Sequence, residues 1–503
     1  MRKWLPLLTV CLGTFMLLID VTIVNVALPD MRNDLDATLS SLQWVVDGYA
    51  LATAALLLGA GSIADLIGHR RTYLAGLALF AISSLICGLA PNPTVLILAR
   101  ITQGIGGAAM ACTTLALLNS AYPGPDRATA FGLWGAVAGS STAVGPIIGG
   151  VLTDLASWRW IFFVNLPVSV VVVALCLTGG VTKPSPDAGH GRIDLPGMVS
   201  FAIFAAAATY GLIHANEYGW SNAVTVCSLA IAAVALVVFV AVERRVATPL
   251  LELALLRDRS FTGVLLAAGA LFLSSFSGIM YAQIWLQSTL GLSPIGAGLI
   301  GLPLSVVAFL VSGGAGRYLH GEHSGRIICA GLLIAGVGGL LGAALVRGES
   351  GWAALVPGSV VVGLGVGLAT TTLSSAAVSA VPARRAGMAA GALNTAQQLA
   401  MAAGIAILGS AFTSRASNVL AAHGVPNGDS VAHAVGGGQS GVLLAQAPDA
   451  YRPALDTALH TAAAAGVQAT LLVSGIVGVV GAGLAAALLR AGRKAAEPVP
   501  APH

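Results

Sequence analysis

Three charged residues lie inside stretches of sequence that are otherwise apolar. Asp20 follows a run of aliphatic residues near the start of the chain, Asp47 lies in Trp-Val-Val-Asp-Gly-Tyr, and Arg100 lies in Leu-Ala-Arg-Ile. An acidic side chain at the centre of a bilayer costs at least roughly 2.5–3.5 kcal/mol on insertion scales. These residues are therefore candidates for a functional site, and each is expected to have a partner nearby.

The three charges fall at similar depths if the apolar stretches are helices that cross a membrane. At a rise of about 1.5 Å per residue, Asp20 lies about 22 Å above Leu5, whereas Asp47 and Arg100 lie roughly 6 Å and 10 Å below the starts of two descending helices. Two acids and one base at one level predict a charge cluster, in which Arg100 keeps one carboxylate ionised while the other titrates. Two other interpretations stay open: Asp20 and Arg100 form a purely structural ion pair, or Asp47 is an interfacial residue of a first helical turn.

Composition places most of the chain in a membrane. Of its 503 residues, 56% are hydrophobic and 9% are charged, whereas about 25% of the residues of a typical soluble protein are charged. A helix needs about 20 apolar residues to cross the hydrocarbon of a bilayer. Fourteen stretches satisfy this requirement, and the chain is predicted to be an all-α polytopic membrane protein with spans at 5–28, 43–64, 72–90, 94–119, 128–152, 161–179, 197–214, 224–243, 261–287, 296–316, 327–346, 353–380, 387–412 and 466–489.

The distribution of basic residues supports this number of spans and sets their direction. With both termini in the cytoplasm, 18 of the 24 Lys and Arg residues fall in inner segments and five fall in outer loops. This bias follows the positive-inside rule, and an odd number of spans would remove it. The net charge of +4 therefore reports topology and gives no indication of nucleic-acid binding. We expect a multi-pass protein of the plasma (inner) membrane.

No pattern in the sequence indicates an enzyme, a cofactor or a metal. All six cysteines fall within predicted spans, at no spacing typical of metal ligands, and they are interpreted as packing residues. A Walker-type phosphate loop is also missing, which argues against transport driven by ATP. We expect a chain without catalytic residues, metal or cofactor.

Two glycine-containing segments suggest where the chain turns and bends. Segment 61–71 reads Gly-Ser-Ile-Ala-Asp-Leu-Ile-Gly-His-Arg-Arg and lies between the second and third spans. Its glycines allow a tight turn, and its charged residues can cap or bridge neighbouring helix ends. Glycines at four-residue spacing in the fifth span allow close helix packing, and Pro146 allows that helix to bend. The residues predicted to act in conformational change are Gly61, Asp65, Gly68, Arg70, Arg71, Gly139, Gly145, Pro146 and Gly149.

With these motifs the chain resembles the major facilitator superfamily over essentially its whole length, and within it the fourteen-helix drug:proton antiporters. Segment 61–71 is similar to the signature loop of the superfamily, with His69 where Arg is common. The run Arg100-Ile-Thr-Gln103-Gly resembles the fourth-helix motif, whose Arg is implicated in proton coupling. The fifth-helix glycines and Pro146 resemble the motif of exporters. Segments 20–29 and 158–167 resemble sequences of the fourteen-helix branch, and the excess of Ala, Gly and Arg over Lys resembles that of actinobacterial proteins.

The resemblance implies two six-helix bundles with two helices inserted between them. The predicted divisions are an N-terminal bundle at 1–182, the inserted helices and their linkers at 183–260, a C-terminal bundle at 261–490 and a disordered cytoplasmic tail at 491–503. Segment 413–465, rich in Ala, Gly and His, is predicted to be a flexible external loop with a short helix around 449–463.

The resemblance also implies a proton-coupled antiporter that exports amphipathic drug-like or antibiotic molecules by alternating access, using the proton gradient instead of a cofactor. Asp20, Arg100 and Asp47 are assigned to proton coupling. The residues predicted to contact substrate are Asp47, Asn25, Gln103, Tyr281, Gln283, Trp285, Asn394, Gln397 and Gln398. Those at 394, 397 and 398 share one helical face, and they either line a cavity or bond a neighbouring helix.

The alternative function is proton-coupled uptake or export of a specific metabolite by the same fold. In both cases the expected partners are a small-molecule substrate, protons and the lipid bilayer, and the chain is expected to act as a monomer without nucleic acid.

Overall fold

The computed structural model describes residues 2–180, 194–246, 248–315, 324–348, 350–382 and 385–496, and within these residues the regular elements are helices. The side chains of some helical residues lie outside the description. Among the predicted site residues these are Asn25 and Pro146, whose side-chain roles stay predictions.

The first half of the chain forms seven α-helices, and local sequence explains where they begin. Thr38 and Asn92 cap the second and fourth helices by accepting hydrogen bonds from the backbone N–H groups of Ser41 and Val95, as N-cap residues commonly do. The helices are α1 (Leu5–Asp34), α2 (Leu39–Ile67), α3 (His69–Gly88), α4 (Pro93–Ala121), α5 (Pro125–Leu155), α6 (Trp160–Phe163) and α7 (Asn165–Leu175).

The rest of the described chain forms eleven further α-helices. Asp194, Asn222 and Asp258 cap the helices that follow them in the same way. The helices are α8 (Leu195–Tyr218), α9 (Ala223–Glu243), α10 (Arg259–Leu271), α11 (Ser277–Ile284), α12 (Pro294–Ala315), α13 (Ser324–Leu345), α14 (Leu355–Ser379), α15 (Ala386–Ala422), α16 (Gly428–Gly436), α17 (Ser440–Gln446) and α18 (Arg452–Ala496).

Thirteen helical segments of the described chain are long and apolar enough to cross a membrane. They correspond to thirteen of the fourteen predicted spans. The remaining span, 128–152, lies within α5, a helix of 31 residues that is not among these thirteen. The ninth span is one apolar segment of 31 residues, Arg259–Thr289, in which π-helical turns at Phe272–Phe276 and Trp285–Thr289 follow α10 and α11.

The prediction of a flexible loop at 413–465 is wrong. α15 continues to Ala422, α16 and α17 follow it, and α18 begins at Arg452, so that the predicted short helix is the first part of a much longer one. Leu420, Val435 and Leu459 are buried in one cluster with Phe412. The alanine content instead favours helices, since Ala has the highest intrinsic helix propensity, and the aliphatic residues among the alanines form a core.

The predicted boundary of the disordered tail is also wrong. α18 continues to Ala496, so residues 491–496 are helical, which agrees with the high helix propensity of Ala, Arg and Lys. Residues 497–503 lie outside the described residues.

Helix packing brings together elements that are far apart in the chain. In the first half, α3 packs on α4, α2 on α4, and α1 on α5; in the second half, α13 packs on α14 and α18, and α12 on α14. The two halves meet along α5 and α12 and along α2 and α15, and α8 packs against α2 and α15 with α9 packed on α8. The α2–α3 turn marks one end of the molecule, which we call the α2–α3 end.

Candidate functional site

Asp20 and Arg100 form an ion pair in the interior of the first half. The Asp20 side chain is fully buried on α1, and the Arg100 side chain on α4 is 1% exposed. Arg100 Nη1 donates to Asp20 Oδ2 over 2.6 Å. The pairing predicted from their depths is therefore present in the structure.

Three neutral polar residues complete the surroundings of the Asp20 carboxylate. Gln103 Nε2 and Asn165 Nδ2 donate to Asp20 Oδ1 over 2.9 Å and 3.0 Å. The same two amides donate to Ser84 Oγ on α3 over 2.8 Å and 3.3 Å. The carboxylate thus accepts hydrogen bonds from α4 and from α7, and we call Asp20, Ser84, Arg100, Gln103 and Asn165 the acid cluster.

Arg100 is held by more than its acidic partner. Its Nη1 also donates to Gln103 Oε1 over 2.7 Å, and its Nε donates to the carbonyl oxygen of Val45 on α2 over 3.0 Å. The guanidinium carbon lies 4.3 Å from the centre of the Tyr49 ring, a distance at which a cation is attracted to an aromatic face. The guanidinium is therefore oriented by α1, α2 and α4 together.

These hydrogen bonds stabilise a buried ion pair, and the loss of either charge from that pair would be costly. Removing two charges from water costs several kcal/mol per ion, which is offset only when geometry is good and the remaining lone pairs and protons are bonded. The acid cluster meets that condition within the described residues. Loss of either charge leaves the other buried without a counter-ion, and the bonds of the Asp20 carboxylate to α4 and α7 depend on its charge.

Asp47 lies on α2, the helix whose Val45 carbonyl oxygen contacts the Asp20–Arg100 pair. Asp47 is half-buried on α2, two residues after Val45, whose carbonyl oxygen accepts from Arg100. The acid that pairs with Arg100 is Asp20. Within the predicted cluster of three charges, Asp20 and Arg100 form an ion pair, and Asp47 lies two residues after Val45 on a helix that contacts this pair.

The predicted substrate residues divide between buried and half-buried positions. Gln103 is fully buried, and its amide bonds Asp20, Ser84 and Arg100 within the acid cluster. Tyr281 is also buried; its hydroxyl donates to the carbonyl oxygen of Ile405, and its ring stacks on Phe412. Trp285 is 1% exposed, and its indole Nε1 is buried without a hydrogen-bond partner. The half-buried Gln283 donates to the carbonyl oxygen of Ala297 over 3.3 Å.

The polar face of α15 bonds a neighbouring helix at one of its three positions. Asn394 Nδ2 donates to the carbonyl oxygen of Ala390 one turn earlier and, over 3.5 Å, to that of Ala111 on α4. Gln397 is 9% exposed and Gln398 is half-buried. Of the two predicted roles, the bond to a neighbouring helix is therefore observed for Asn394.

The signature loop reaches across to the second half of the molecule. Asp65 Oδ1 and Oδ2 accept hydrogen bonds from the backbone N–H groups of Gly387 and Met388, each over 2.8 Å. These groups belong to the first turn of α15, where unpaired N–H groups and the helix dipole favour a carboxylate. His69 Nε2 lies 3.5 Å from Asp65 Oδ1.

Two glycines make this contact between the halves possible. A Cβ atom on Gly387 would lie 2.5 Å from the carbonyl oxygen of Gly61, so that neither position has room for a side chain. Gly68 ends α2 with φ +101°, a conformation that side chains disfavour. Arg70 Nη2 donates to the carbonyl oxygen of Cys176 over 2.9 Å, and Arg71 is exposed.

The glycines of α5 face different neighbours. A Cβ on Gly145 would overlap Thr22 Oγ1 of α1, and one on Gly149 would lie 2.9 Å from Ile23 Cγ1. A Cβ on Gly139 would meet only Ala308 of α12, at 3.8 Å. Close packing, as predicted from the spacing, therefore applies to α1, whereas the contact of Gly139 with the second half is looser.

Sequence reasoning overlooked Ser84 and gave Asn165 no role. Both are neutral, and only charged residues were compared by depth. Ser84 nevertheless lies about 22 Å along α3 from His69, the same distance as Asp20 from Leu5, at about 1.5 Å per residue. Extending the depth comparison to hydroxyl and amide side chains would have found it.

Comparison with known proteins agrees with this geometry. Residues 10–405 match the model of the family described as Major Facilitator Superfamily. The chain belongs to the major facilitator superfamily. Members with similar sequences include the multidrug resistance protein Stp of Mycobacterium tuberculosis, which is 38% identical over 83% of this chain and 78% of its own length. The puromycin resistance protein pur8 of Streptomyces alboniger is 34% identical over 84% of each chain.

Solved structures of the major facilitator superfamily share the fold. The human organic anion transporter MFSD10 aligns with a TM-score of 0.63 and 16% identity over 96% of this chain and 99% of its own. The proton:xylose symporter XylE aligns with a TM-score of 0.59 and 14% identity, over 88% of this chain and 94% of its own. At these identities the likeness concerns the fold alone.

Proposed function

We propose that this chain is a proton-coupled antiporter that exports amphipathic drug-like or antibiotic molecules across the plasma membrane by alternating access. The names of its relatives, which include a multidrug resistance protein and a tetracenomycin C resistance and export protein, support the substrate class. The observation that carries the coupling mechanism is the buried Asp20–Arg100 pair.

Asp20 is the proposed proton-binding residue, and the acid cluster couples its charge to conformation. When Asp20 is ionised, it neutralises Arg100 inside the protein. A proton on Asp20 removes that counter-ion, and an uncompensated buried charge costs about 3–5 kcal/mol. The protonated protein therefore favours a conformation in which Arg100 finds water or another acid, and the half-buried Asp47 on α2 is the candidate.

The contact between α2 and α15 is the proposed gate at the cytoplasmic end. In this structure Asp65 holds the first turn of α15, and Gly61 and Gly387 are in backbone contact. Opening this end requires the carboxylate to release both amides. The proposed orientation, with both termini and the α2–α3 end in the cytoplasm, follows from the distribution of basic residues.

The proposed topology has fourteen spans, with α5 as the span beyond the thirteen apolar segments. Its support is the close packing of α5 on α1 and on α12, both of which belong to apolar segments. Two six-helix bundles with α8 and α9 inserted between them, acting as a monomer and driven by the proton gradient without a cofactor, complete the proposal.

Substrate contacts are proposed for the apolar, aromatic and amide side chains named from the sequence in both halves. Such mixed surfaces suit amphipathic molecules, since apolar walls supply most of the contact area and a few polar groups fix orientation. Trp285 and Gln283 of α11 and its following turn offer an indole N–H and an amide for this purpose.

The test is a susceptibility panel followed by vesicle transport. The gene is expressed in a host without its own pumps and challenged with lipophilic cations, aminonucleosides, tetracyclines and neutral compounds. Each compound to which resistance rises is then tested in inside-out vesicles, where an imposed pH gradient, acidic inside, should drive its uptake. Resistance without dependence on the gradient would contradict proton coupling. Accumulation of a nutrient by whole cells, with no change in susceptibility, would favour the alternative function.

A further inference from the structure

Two buried carboxylates lie side by side at the α2–α3 end of the α8–α9 pair. Asp194, the N-cap of α8, is 6% exposed, and Glu243, the last residue of α9, is 5% exposed. Asp194 Oδ1 accepts from the backbone N–H of Gly197 over 2.8 Å, and Glu243 Oε2 accepts from that of Leu251 over 3.2 Å. The second oxygen of each side chain is buried without a hydrogen-bond partner.

The two unpartnered oxygens point to the same place. A Cβ atom on Gly197 would lie 2.8 Å from Glu243 Oε1 and even closer to Asp194 Oδ2. Only a glycine at position 197 leaves free the space beside these two oxygens. Two oxygens within 2.8 Å of one point are near enough for like charges to repel strongly, which penalises ionisation of both.

No basic side chain in the described part of the chain forms an ion pair with either acid. At this end of the molecule, the charged residues on the elements packed against the pair are Asp65 on α2, Arg385 just before α15, Arg244 and Arg245 after α9, and Glu252, Arg257, Asp258 and Arg259 further along. Asp65 bonds the first turn of α15, and Glu252 pairs with Arg385 over 2.5 Å. The others are exposed. Arg192 lies outside the described residues.

A metal ion does not fit this pair. Calcium takes six to eight oxygen ligands, and the described residues contain no group of three acidic, histidine or cysteine side chains that could hold a metal. A single proton fits, because protonation of either carboxyl group removes the repulsion between two buried negative charges, as in paired carboxylates whose titrations are coupled.

The segment after α9 connects this pair to the contact between the two halves. Leu251, whose N–H donates to Glu243, lies between Leu250 and Glu252. The carbonyl oxygen of Leu250 accepts from Ser62 Oγ on α2 over 3.1 Å, and Glu252 pairs with Arg385, one residue before α15. Residues 250–252 therefore tie α9 to both helices that meet at Asp65, and we call them the strap.

We propose that Asp194 and Glu243 together bind one proton, separate from the acid cluster, and that this proton fastens the strap to the α2–α15 contact. With the proton in place, Glu243 stays buried and holds the N–H of Leu251. When the proton leaves, two buried carboxylates repel each other, Glu243 moves toward water, and the strap loosens.

The first test detects the proton directly in purified full-length protein in lipid nanodiscs. At neutral pH the infrared spectrum should contain a carbonyl band of a protonated carboxylic acid that shifts in deuterated buffer. The band should disappear in both Glu243→Gln and Asp194→Asn. Glu252→Gln, which alters a half-exposed and paired carboxylate, should retain it. A band that persists in both variants of the pair, or that is absent from the wild type, overturns the proposal.

Arg192 provides a decisive control. If Arg192 pairs with the acids and keeps them ionised, the band appears only in Arg192→Gln, and the proposal is wrong. If the acids share a proton, Arg192→Gln leaves the band of the wild type unchanged. A band that is abolished by sodium or potassium at constant pH would show that the pair takes a cation instead.

The second test measures the strap by amide hydrogen exchange. In the wild type, the exchange rate of the Leu251 amide is divided by its intrinsic rate at each pH. This ratio should rise about tenfold once the pH is high enough to remove the infrared band, because local opening then costs less free energy. Glu243→Gln, which imitates the neutral acid, should keep Leu251 protected at every pH. Equal pH dependence in the two proteins contradicts the role of the proton in fastening the strap. Neither measurement involves transport, so the outcome is independent of the proposed function.

Discussion

At the scale of single residues, the central feature is how completely Asp20 and Arg100 are bonded. The carboxylate accepts from Arg100, Gln103 and Asn165, and the guanidinium donates to Asp20, Gln103 and the Val45 carbonyl. Because each charge is compensated by the other, the loss of either charge should be costly. Substitution of Asp20 and substitution of Arg100 should nevertheless have different effects.

Replacement of Asp20 by Asn should abolish proton-driven efflux while the protein still inserts and folds. Asn keeps the shape of the side chain and one acceptor oxygen for Arg100, but it has no titratable group. The measurement is drug uptake by inside-out vesicles under an imposed pH gradient. Asp30→Asn, which changes an exposed acid on the same helix, should transport like the wild type. Full gradient-driven uptake by Asp20→Asn would remove Asp20 from proton coupling.

Replacement of Arg100 by Ala should destabilise the protein strongly. It leaves the Asp20 carboxylate buried without its counter-ion, at a cost of about 3–5 kcal/mol. Arg100→Lys should be only partly better, since one ammonium group cannot reproduce the bonds to Asp20 and Val45 at once. Thermal unfolding in detergent measures the effect, and Arg32→Ala, at an exposed position on α1, should stay within about 0.5 kcal/mol of the wild type. A melting temperature for Arg100→Ala equal to that of Arg32→Ala would show that the pair contributes little.

At the scale of elements, α5 packs differently on α1 and on α12. Gly145 and Gly149 leave no room for a side chain against α1, whereas Gly139 faces α12 at an ordinary van der Waals distance. The α1–α5 interface is therefore rigid at the level of Asp20, which lies two residues before Thr22. The interface of α5 with the second half is mixed, since Gly139 has room beside α12, whereas a Cβ on Gly135 would overlap Thr371 Cγ2 of α14.

Alanine substitutions in α5 should separate these interfaces. Gly145→Ala places a methyl group against Thr22 Oγ1 and should cost about 1–3 kcal/mol. Gly139→Ala has space and should be neutral or slightly stabilising, because Ala exceeds Gly in helix propensity by about 1 kcal/mol. Thermal unfolding of both variants measures the difference. Thr22→Ala should partly rescue Gly145→Ala by removing the hydroxyl, and a double variant no more stable than Gly145→Ala would refute the steric explanation.

At the scale of the whole molecule, the two halves are held together at the α2–α3 end by backbone contacts and by one carboxylate. Asp65 reaches amides that lie 322 and 323 residues further along the chain. The strap adds a second connection between α9, α2 and α15 at the same end. In the proposed orientation this end faces the cytoplasm, where the two halves are in contact, and Asp47 lies toward the opposite end of α2.

Replacement of Asp47 by Asn should therefore weaken export of cationic compounds more than export of neutral ones. An acid near the outer mouth attracts cations, and the loss of one partly hydrated ion pair is worth about 1 kcal/mol, or roughly fivefold in affinity. Concentration dependence of uptake into inside-out vesicles, at matched protein levels, resolves a change of that size. Equal loss for both substrate classes would remove Asp47 from the substrate site.

The sequence by itself determined the membrane class, the positions of thirteen apolar spans and the common depth of Asp20 and Arg100. Each of these features follows from the type of a residue and its position along the chain. Length and hydropathy define a span, and residue number gives depth at a fixed rise per residue. A buried charge also demands a partner, and the sequence offered few at that depth.

Tertiary structure decided everything that depends on which faces of distant helices meet. Counting residues places Ser84 at the depth of Asp20, but only packing decides that Ser84 and Asn165 belong to the acid cluster. The partner of Asp65 is a pair of backbone amides, which no sequence pattern distinguishes from any others. Segment 413–465 acquires a core only because α15 and α18 bring it together with α11, and Asp194 and Glu243 meet only because α8 and α9 pack side by side. Depth along a helix is fixed by counting residues, whereas rotation and partner are fixed by packing between segments far apart in the chain.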